Sequence, residues 1–445
     1  MGREVQRALL WVILFGSLFM LWDNYQVYKG GKSFFAAPEE TVEASQSAGA
    51  ADIPAPAQDA RAVEVQAAAT PVKEPVVVTT DRMKVTFDLQ GARVIGTEML
   101  LFPQQADWTE VGLAGMILGR KPADDLGNVK LLNVQGAHTY MAQSGLVGGD
   151  YPTHADEFKL VGKSLSMDGS DKLDVVFEAD KGGVKVTKTY SFKRGYYGMD
   201  VSTTVTNQTE KAVSPQIYYQ ITRDSSKPAG ESSMYSTFTG PAFYTSEENF
   251  QKLDFSDIHD KDASFVEKTD NGWLAMVQHH FVSAWIPSQG ESRQNYAREV
   301  SKDRYAIGTL VSMKEIAPGA SVTDRATFYS GPQEQARLEQ LAPGLELVVD
   351  YGWLTFLAKP IYWLLDFLYG IVGNWGWAIV LLTCIVKAVL YPISAAGYRS
   401  MARMKEVTPR MKALQEKYKD DKQRLNQAMM ELYRTEKINP IGGCL

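Results

Sequence analysis

The sequence predicts a multi-domain membrane protein: an N-terminal transmembrane anchor, an antiparallel β-sandwich, then an α-helical membrane core with a helical hairpin. Three observations predict it. Two apolar runs, one starting at Ala8 and one at Trp375, bracket a long polar middle. That middle alternates apolar and polar residues with a period of two. After Pro392 the chain becomes basic and takes up helical spacing. Residues 393–445 carry eleven Lys or Arg against six Asp or Glu, although the 445-residue chain has a net charge of −6. Such asymmetry points to two compartments or to an interaction surface.

The anchor is read at residues 1–28. Its uncharged run, Ala8 to Trp22, is about 15 residues long, short for a span of roughly 20. No small-x-small cleavage site follows directly, and Trp22, Tyr25 and Tyr28 supply an interfacial aromatic belt. An uncleaved anchor is expected, with Arg3 and Arg7 holding its start in the cytoplasm. The second span is read at residues 375–392, with Gly373 to Trp377 at its first interface and Arg399, Arg403, Lys405, Arg410 and Lys412 beyond its far end. The positive-inside rule makes that far end cytoplasmic. Everything between the spans then lies in the periplasm of a Gram-negative cell.

Residues 29–80, rich in Ala, Pro, Glu, Gln and Val, read as a disordered periplasmic tether. Residues 81–350 read as the periplasmic β-sandwich. Met83, Val85, Phe87 and Leu89 alternate on one face, as do Leu173, Val175 and Phe177. Val184, Val186, Tyr190 and Phe192 precede a "KRGYYG" turn, after which Met199, Val201, Thr203 and Val205 resume the pattern. The domain has no cysteine, so its stability comes from its core and not from disulfides; the two cysteines are Cys384 and Cys444.

The sandwich offers little chemistry. HExxH, GxSxG and paired CxxC motifs are absent. His279 and His280 are adjacent, so on a strand they would face opposite ways and make a poor metal pair. "GGKS" at Gly30–Ser33 lacks the earlier glycine and the preceding strand of a phosphate loop. Asn207-Gln208-Thr209 forms a glycosylation sequon, meaningful only in a glycosylating host. No enzyme, cofactor or metal site is expected.

Residues 351–374 contain "KPIYWLLDFLYGIVGN", whose apolar run reads as too short to cross a bilayer. Lys359, Asp366 and Asn374 fall on one stripe of an otherwise apolar helix, so a helix lying in the membrane interface is expected. Residues 393–438 read as a cytoplasmic helical hairpin. Thr408-Pro409 is read as a cap and first-turn proline that restarts the helix. Met404, Val407, Met411 and Leu414 give one apolar stripe; Leu425, Met429 and Leu432 give its partner, behind a capping Asp421. Methionines at such positions, Met430 included, suit adaptable contacts or simply seal the hairpin. The basic outer faces suit lipid head groups or ribosomal RNA, without aromatic residues placed for sequence-specific reading. Residues 439–445 look like the opening of a further membrane segment, and the chain is expected to be a fragment.

One residue in the second span stands out. Lys387 lies in "LLTCIVKAVLYP", about 18 Å along a helix from Trp375 and about 7.5 Å from Pro392. Thr383, Lys387 and Tyr391 are spaced by four and form one comparatively polar stripe. A charge there either faces a cavity or snorkels to the nearer interface, and the residues alone leave both open.

Several stretches together resemble the YidC/Oxa/Alb family of membrane-protein insertases, nearly the whole chain in order. They are "AQSGL", "NGWLAMVQHHFVSAWIP", "LELVVDYGWL", "VGNWGWAIVLLTCIVKAVLYP", "DDKQRLNQAMMELY" and "INPIGGC". The resemblance is to the Gram-negative type with a large periplasmic domain. It implies a sandwich like that of sugar mutarotases, without sugar chemistry. It also implies five core helices after the anchor, forming a groove open to cytoplasm and lipid, in which Thr383, Lys387 and Tyr391 line the substrate path. The hairpin, through Met404, Met411, Met429 and Met430, would receive substrates. The implied partners are nascent membrane proteins, Sec translocon components, the ribosome and the lipid bilayer, and no nucleotide is used. Two departures stand out: lysine replaces the groove arginine, and the helices expected beyond Leu445 are not in this sequence. The rival expectation is a membrane-anchored carbohydrate-binding or carbohydrate-modifying sandwich.

Overall fold

The computed structural model describes residues 75–103, 127–135, 138–162, 164–226, 228, 238–418 and 421–435. The expected anchor, most of the tether, "GGKS" and residues 439–445 lie outside them. The chain divides into two units at Val349 and Asp350, each taken by itself below.

The first unit is two antiparallel sheets packed face to face. Among the described residues, one sheet runs β1 (Val76–Thr79), β2 (Met83–Asp88), β3 (Arg93–Pro103), β6 (His138–Val147), β11 (Gln216–Asp224), β18 (Arg304–Ser312), β17 (Arg293–Ser301), β14 (Lys268–Thr269). Short β4 (Asn128–Lys130) pairs with β3, and β5 (Asn133–Gln135) with β6. The other runs β13 (Asn249–Lys252), β12 (Gly240–Thr245), β15 (Trp273–Val277), β16 (Phe281–Pro287), β19 (Ser321–Pro332), β10 (Gly198–Asn207), β9 (Val184–Lys193), β8 (Lys172–Lys181), β7 (Lys159–Val161). The predicted alternation holds. Met83, Val85 and Phe87 are fully buried on β2, as are Val184 and Val186 on β9 and Met199 and Val205 on β10. Folded structure begins earlier than expected, because Val76 to Thr79 pair with Lys84 to Phe87. The valines there belong to a strand and not to the tether.

Aromatic side chains from both sheets build the core. Phe87 of β2 lies 4.7 Å from Tyr190 and 5.3 Å from Phe177. Trp285 of β16 meets Tyr219 of β11 at 4.9 Å and Phe328 of β19 at 4.8 Å. Its indole N–H donates to the Gln220 carbonyl at 3.1 Å, so the buried ring leaves no polar atom unpaid.

The core also takes in a lysine. Lys188 of β9 is fully buried, and its ammonium donates to the carbonyls of Gly91 (2.8 Å) and Ser144 (2.7 Å) above the Phe158 ring. Gly91 and Ala92 carry positive φ in the β2–β3 turn, and Tyr190 donates to the Ala92 carbonyl at 2.7 Å. Among the described residues β3 meets β6 in register only at Val94–Ala142, so Ser144 on β6 finds its donor in the lysine. Burial pushes the Lys188 ammonium down to about 7.

Two sequence features resolve locally. His279 and His280 occupy the turn between β15 and β16 and not a strand, with ring centroids 3.8 Å apart; partial burial and the neighbouring ring lower His280. Asn207 of the sequon is fully buried. Its amide donates to the carbonyls of Lys211 (2.6 Å) and Ile316 (2.9 Å), and its oxygen accepts from Thr209 N–H and Oγ1. The unit also contains α1 (Phe255–Asp260) and closes with α2 (Gln335–Leu341) and a short 3-10 turn, Leu345–Val348. Leu338, Leu345 and Val348 are buried, and Trp273 donates to the Pro343 carbonyl, which ties this segment to the sandwich core.

The second unit is helical: α3 (Thr355–Val372), α4 (Trp375–Lys417) and α5 (Lys422–Thr435). Gly373, at φ 64°, ends α3 with a backbone bond to Tyr369, and the Asn374 side chain caps α4 by accepting from Trp377 N–H. Two expectations change here. The 43-residue α4 runs without a break through both Pro392 and Pro409, so neither proline is a helix boundary. Proline locally favours a helix boundary, as expected at the end of the 375–392 span and at the Thr408-Pro409 restart, but the surrounding turns carry the helix across. The 18-residue α3 is also long and apolar enough, by length and composition, to cross a membrane, as is α4.

Candidate functional site

The candidate site is one face of α4. Helices α3 and α4 pack together around the Gly373–Asn374 turn, with Tyr369 stacked on Trp375 at 4.0 Å. Leu368 on α3 and Ala378 on α4 are buried, and Leu382 and Val386, four and eight residues on from Ala378, are half-buried. This i, i+4, i+8 row is the packed side of α4. Lys387 is nine residues beyond Ala378, about 180° around the helix at 3.6 residues per turn. Thr383, Lys387 and Tyr391 are all exposed, on the side away from Ala378. The structure therefore brings the three sequence-predicted residues together on one face. Thr383 donates its hydroxyl to the Ile379 carbonyl at 2.8 Å, which leaves its oxygen free only to accept.

The continuity of α4 changes the depth of the lysine. With Pro392 as the end of the span, Lys387 is near one interface. With an unbroken helix, the next charge after Lys387 is Arg399, twelve residues on, and Trp375 lies twelve residues back. Lys387 is therefore flanked by about 18 Å of uncharged helix on each side. A lysine stem covers only about a third of that, at roughly 6 Å for its four methylenes.

The hairpin methionines divide. Val407 is buried, and Met404, Met411 and Leu414 are half-buried on the same stripe of α4. Leu425, Met429 and Leu432 of α5 are half-buried likewise, and α4 packs with α5. Three of the four candidate contacts are thus half-buried, and Met430 alone of the four is strongly exposed, at 72%. Asp421 caps α5 by accepting from the N–H groups of Gln423 (3.1 Å) and Arg424 (3.0 Å). Thr408 donates to the Met404 carbonyl within the helix and does not cap a new one. Among the described residues no group of three His, Cys, Asp or Glu is arranged to hold a metal.

A sandwich domain followed by helices long and apolar enough to cross a membrane, one with Lys387 midway along its uncharged stretch, fits a membrane protein. Residues 75–364 match the family model described as the YidC periplasmic domain, and residues 367–445 match that of the 60Kd inner membrane protein. The chain belongs to the family of the membrane protein insertase YidC. It is 46% identical over 468 residues to "Membrane protein insertase YidC" of Bordetella parapertussis, covering 99% of this chain and 78% of that protein. The protein of the same name from Dechloromonas aromatica is also 46% identical, over 448 residues, with the same coverage. A solved galactose mutarotase-like protein from Lactobacillus casei covers 58% of this chain at 12% identity and a TM-score of 0.34, a likeness too slight to carry an argument.

Proposed function

We propose that this chain is a membrane protein insertase and chaperone that works without nucleotide, alone or beside Sec translocon components. The observation that carries the reading is Lys387: exposed, midway along the uncharged stretch of α4, and opposite the face packed on α3. An ionisable group so deep in a membrane segment needs a wet cavity or a partner. Thr383 and Tyr391 extend that polar track by a turn in each direction. In this reading residues 29–350 occupy the periplasm, α3 lies in or near the membrane, and the hairpin reaches into the cytoplasm. There its basic faces meet head groups or the ribosome, and Met430 offers an adaptable contact. A nascent segment's acidic tail is drawn to Lys387, and its apolar part then leaves sideways into lipid, driven by burial. Lysine supplies the charge without arginine's bidentate fork.

The test is reconstitution of the protein in liposomes. Lys387→Glu should abolish insertion of substrates with acidic tails and spare those with neutral tails. Normal insertion of acidic tails by Lys387→Glu would overturn the charge reading.

A further inference from the structure

The chain has one Asn-Gly pair, Asn271-Gly272, and it lies where the sandwich passes from sheet to sheet. Residues 270–272 connect β14, at the edge of one sheet, to β15 in the other. Residues 288–292 cross back from β16 to β17. Gln289 fastens the two crossings together. Its Oε1 accepts from the Gly272 N–H at 2.7 Å, and its Nε2 donates to the carbonyls of Gly272 (3.2 Å) and Pro287 (2.7 Å). Gly290 N–H donates to the Asp270 carbonyl at 2.7 Å, and the Arg293 guanidinium donates to the carbonyls of Gly272 (3.3 Å) and Asp270 (3.1 Å). The Asn271 side chain is held as well: its Oδ1 accepts from Ser246 N–H at 2.7 Å, and its Nδ2 donates to Asp270 Oδ1 at 2.8 Å.

An asparagine followed by glycine can lose its side-chain amide without an enzyme. The glycine main-chain nitrogen gives up its proton and attacks the asparagine Cγ. The new C–N bond closes a five-membered imide, and Nδ2 leaves as ammonia, taking up a proton. Water then opens the imide at either carbonyl. One opening gives aspartate; the other gives isoaspartate, with the main chain rerouted through Cγ. Glycine favours the attack because it has no side chain to shield its nitrogen or restrict its backbone. In the folded sandwich both reacting groups are occupied: the Gly272 N–H by Gln289, and the Asn271 amide by Ser246 and Asp270. Gly272 is buried, whereas Asn271 is half-exposed and Gln289 exposed, so the restraint sits at the surface, within reach of water.

We propose that Asn271 is a spontaneous deamidation site gated by Gln289. While Gln289 holds the Gly272 N–H, the asparagine is inert. Local opening of the two crossings frees both groups and lets the reaction run. The change is one-way. Aspartate at this position sets a second carboxylate against Asp270, where an amide now donates. Isoaspartate adds a carbon to the main chain just before Gly272. That glycine, at φ 94°, is packed so closely on the Tyr244 carbonyl that even a Cβ would overlap it. Either product hinders reclosure, so the lesion records how often this corner of the sandwich has opened. The proposal is independent of the insertion reading.

Ageing of the protein in nanodiscs, in mildly alkaline buffer, tests it, with aspartate and isoaspartate at Asn271 read by peptide mass spectrometry. The folded protein should react about tenfold or more slowly than the same chain in concentrated urea, equivalent to about 1.4 kcal/mol of protection. Gln289→Ala alters only an exposed side chain and should recover most of that difference. Asp168-Gly169, an exposed pair that forms the same imide, should age at an unchanged rate in the variant. Equal rates at Asn271 in folded and unfolded chains would overturn the gate. So would an unaltered rate in Gln289→Ala, or an equal acceleration at Asp168.

Discussion

Lys387 and Ala378 stand on opposite sides of α4, nine residues apart: the alanine is buried against the α3 side and the lysine exposed on the other. The separation makes the face of the charge testable apart from its depth. The paired change Val386→Lys with Lys387→Val moves the charge by one residue, about 1.5 Å in depth but about 100° around the helix, toward the packed row. Insertion of acidic-tailed substrates should fall about fivefold or more, equivalent to losing about 1 kcal/mol of attraction. Insertion equal to that of the unaltered protein would show that depth alone matters.

Lys188 predicts a pH-dependent stability in the sandwich. Its pKa falls on folding from 10.5 to about 7, so between those values the unfolded chain binds the extra proton. Stability then rises with pH through that window, and the cost of burying the charge is fully present below about 7. The difference spans up to about 5 kcal/mol at 1.36 kcal/mol per unit. Lys188→Met should flatten this rise relative to the unaltered protein, as followed by denaturant unfolding from neutral to alkaline pH. It should also be less stable at the alkaline end, because the carbonyls of Gly91 and Ser144 lose their donor.

Pro409 lies inside α4, where it removes the N–H that would reach the Lys405 carbonyl. Pro409→Ala should therefore strengthen the helix by up to about 3 kcal/mol and slow amide exchange across residues 405–413. Were Pro409 instead the first residue of a new helix, the same change would leave exchange there unaltered.

The sandwich was legible because burial follows parity. Met83, Val85 and Phe87 alternate in the sequence and all three are buried. The same parity held information that composition obscured. Lys188 shares its register with Val184, Val186 and Tyr190, and Asp324 with Ala326 and Phe328, so both inward charges follow the strand pattern even though their types suggest solvent. Strand order was not legible. The central neighbours β6 and β11 pair Val147 with Gln216, residues brought together by the packing of the whole domain and by no local signal. On α4 the four-residue spacing of Thr383, Lys387 and Tyr391 was enough to place them on one face. The prolines misled because their local preference to end helices is real but is outweighed where the flanking turns are favourable.

Buried Asn207 makes the sequon a reporter of folding history. Both amide hydrogens point into the carbonyls of Lys211 and Ile316, so an oligosaccharide on that nitrogen and the closed 207–211 turn exclude one another. In a eukaryotic secretory pathway, only a chain caught before the turn closed would acquire the sugar, and that chain could not then complete the sandwich. Glycan occupancy at Asn207 would count failed molecules, and the well-folded fraction would be the unglycosylated one.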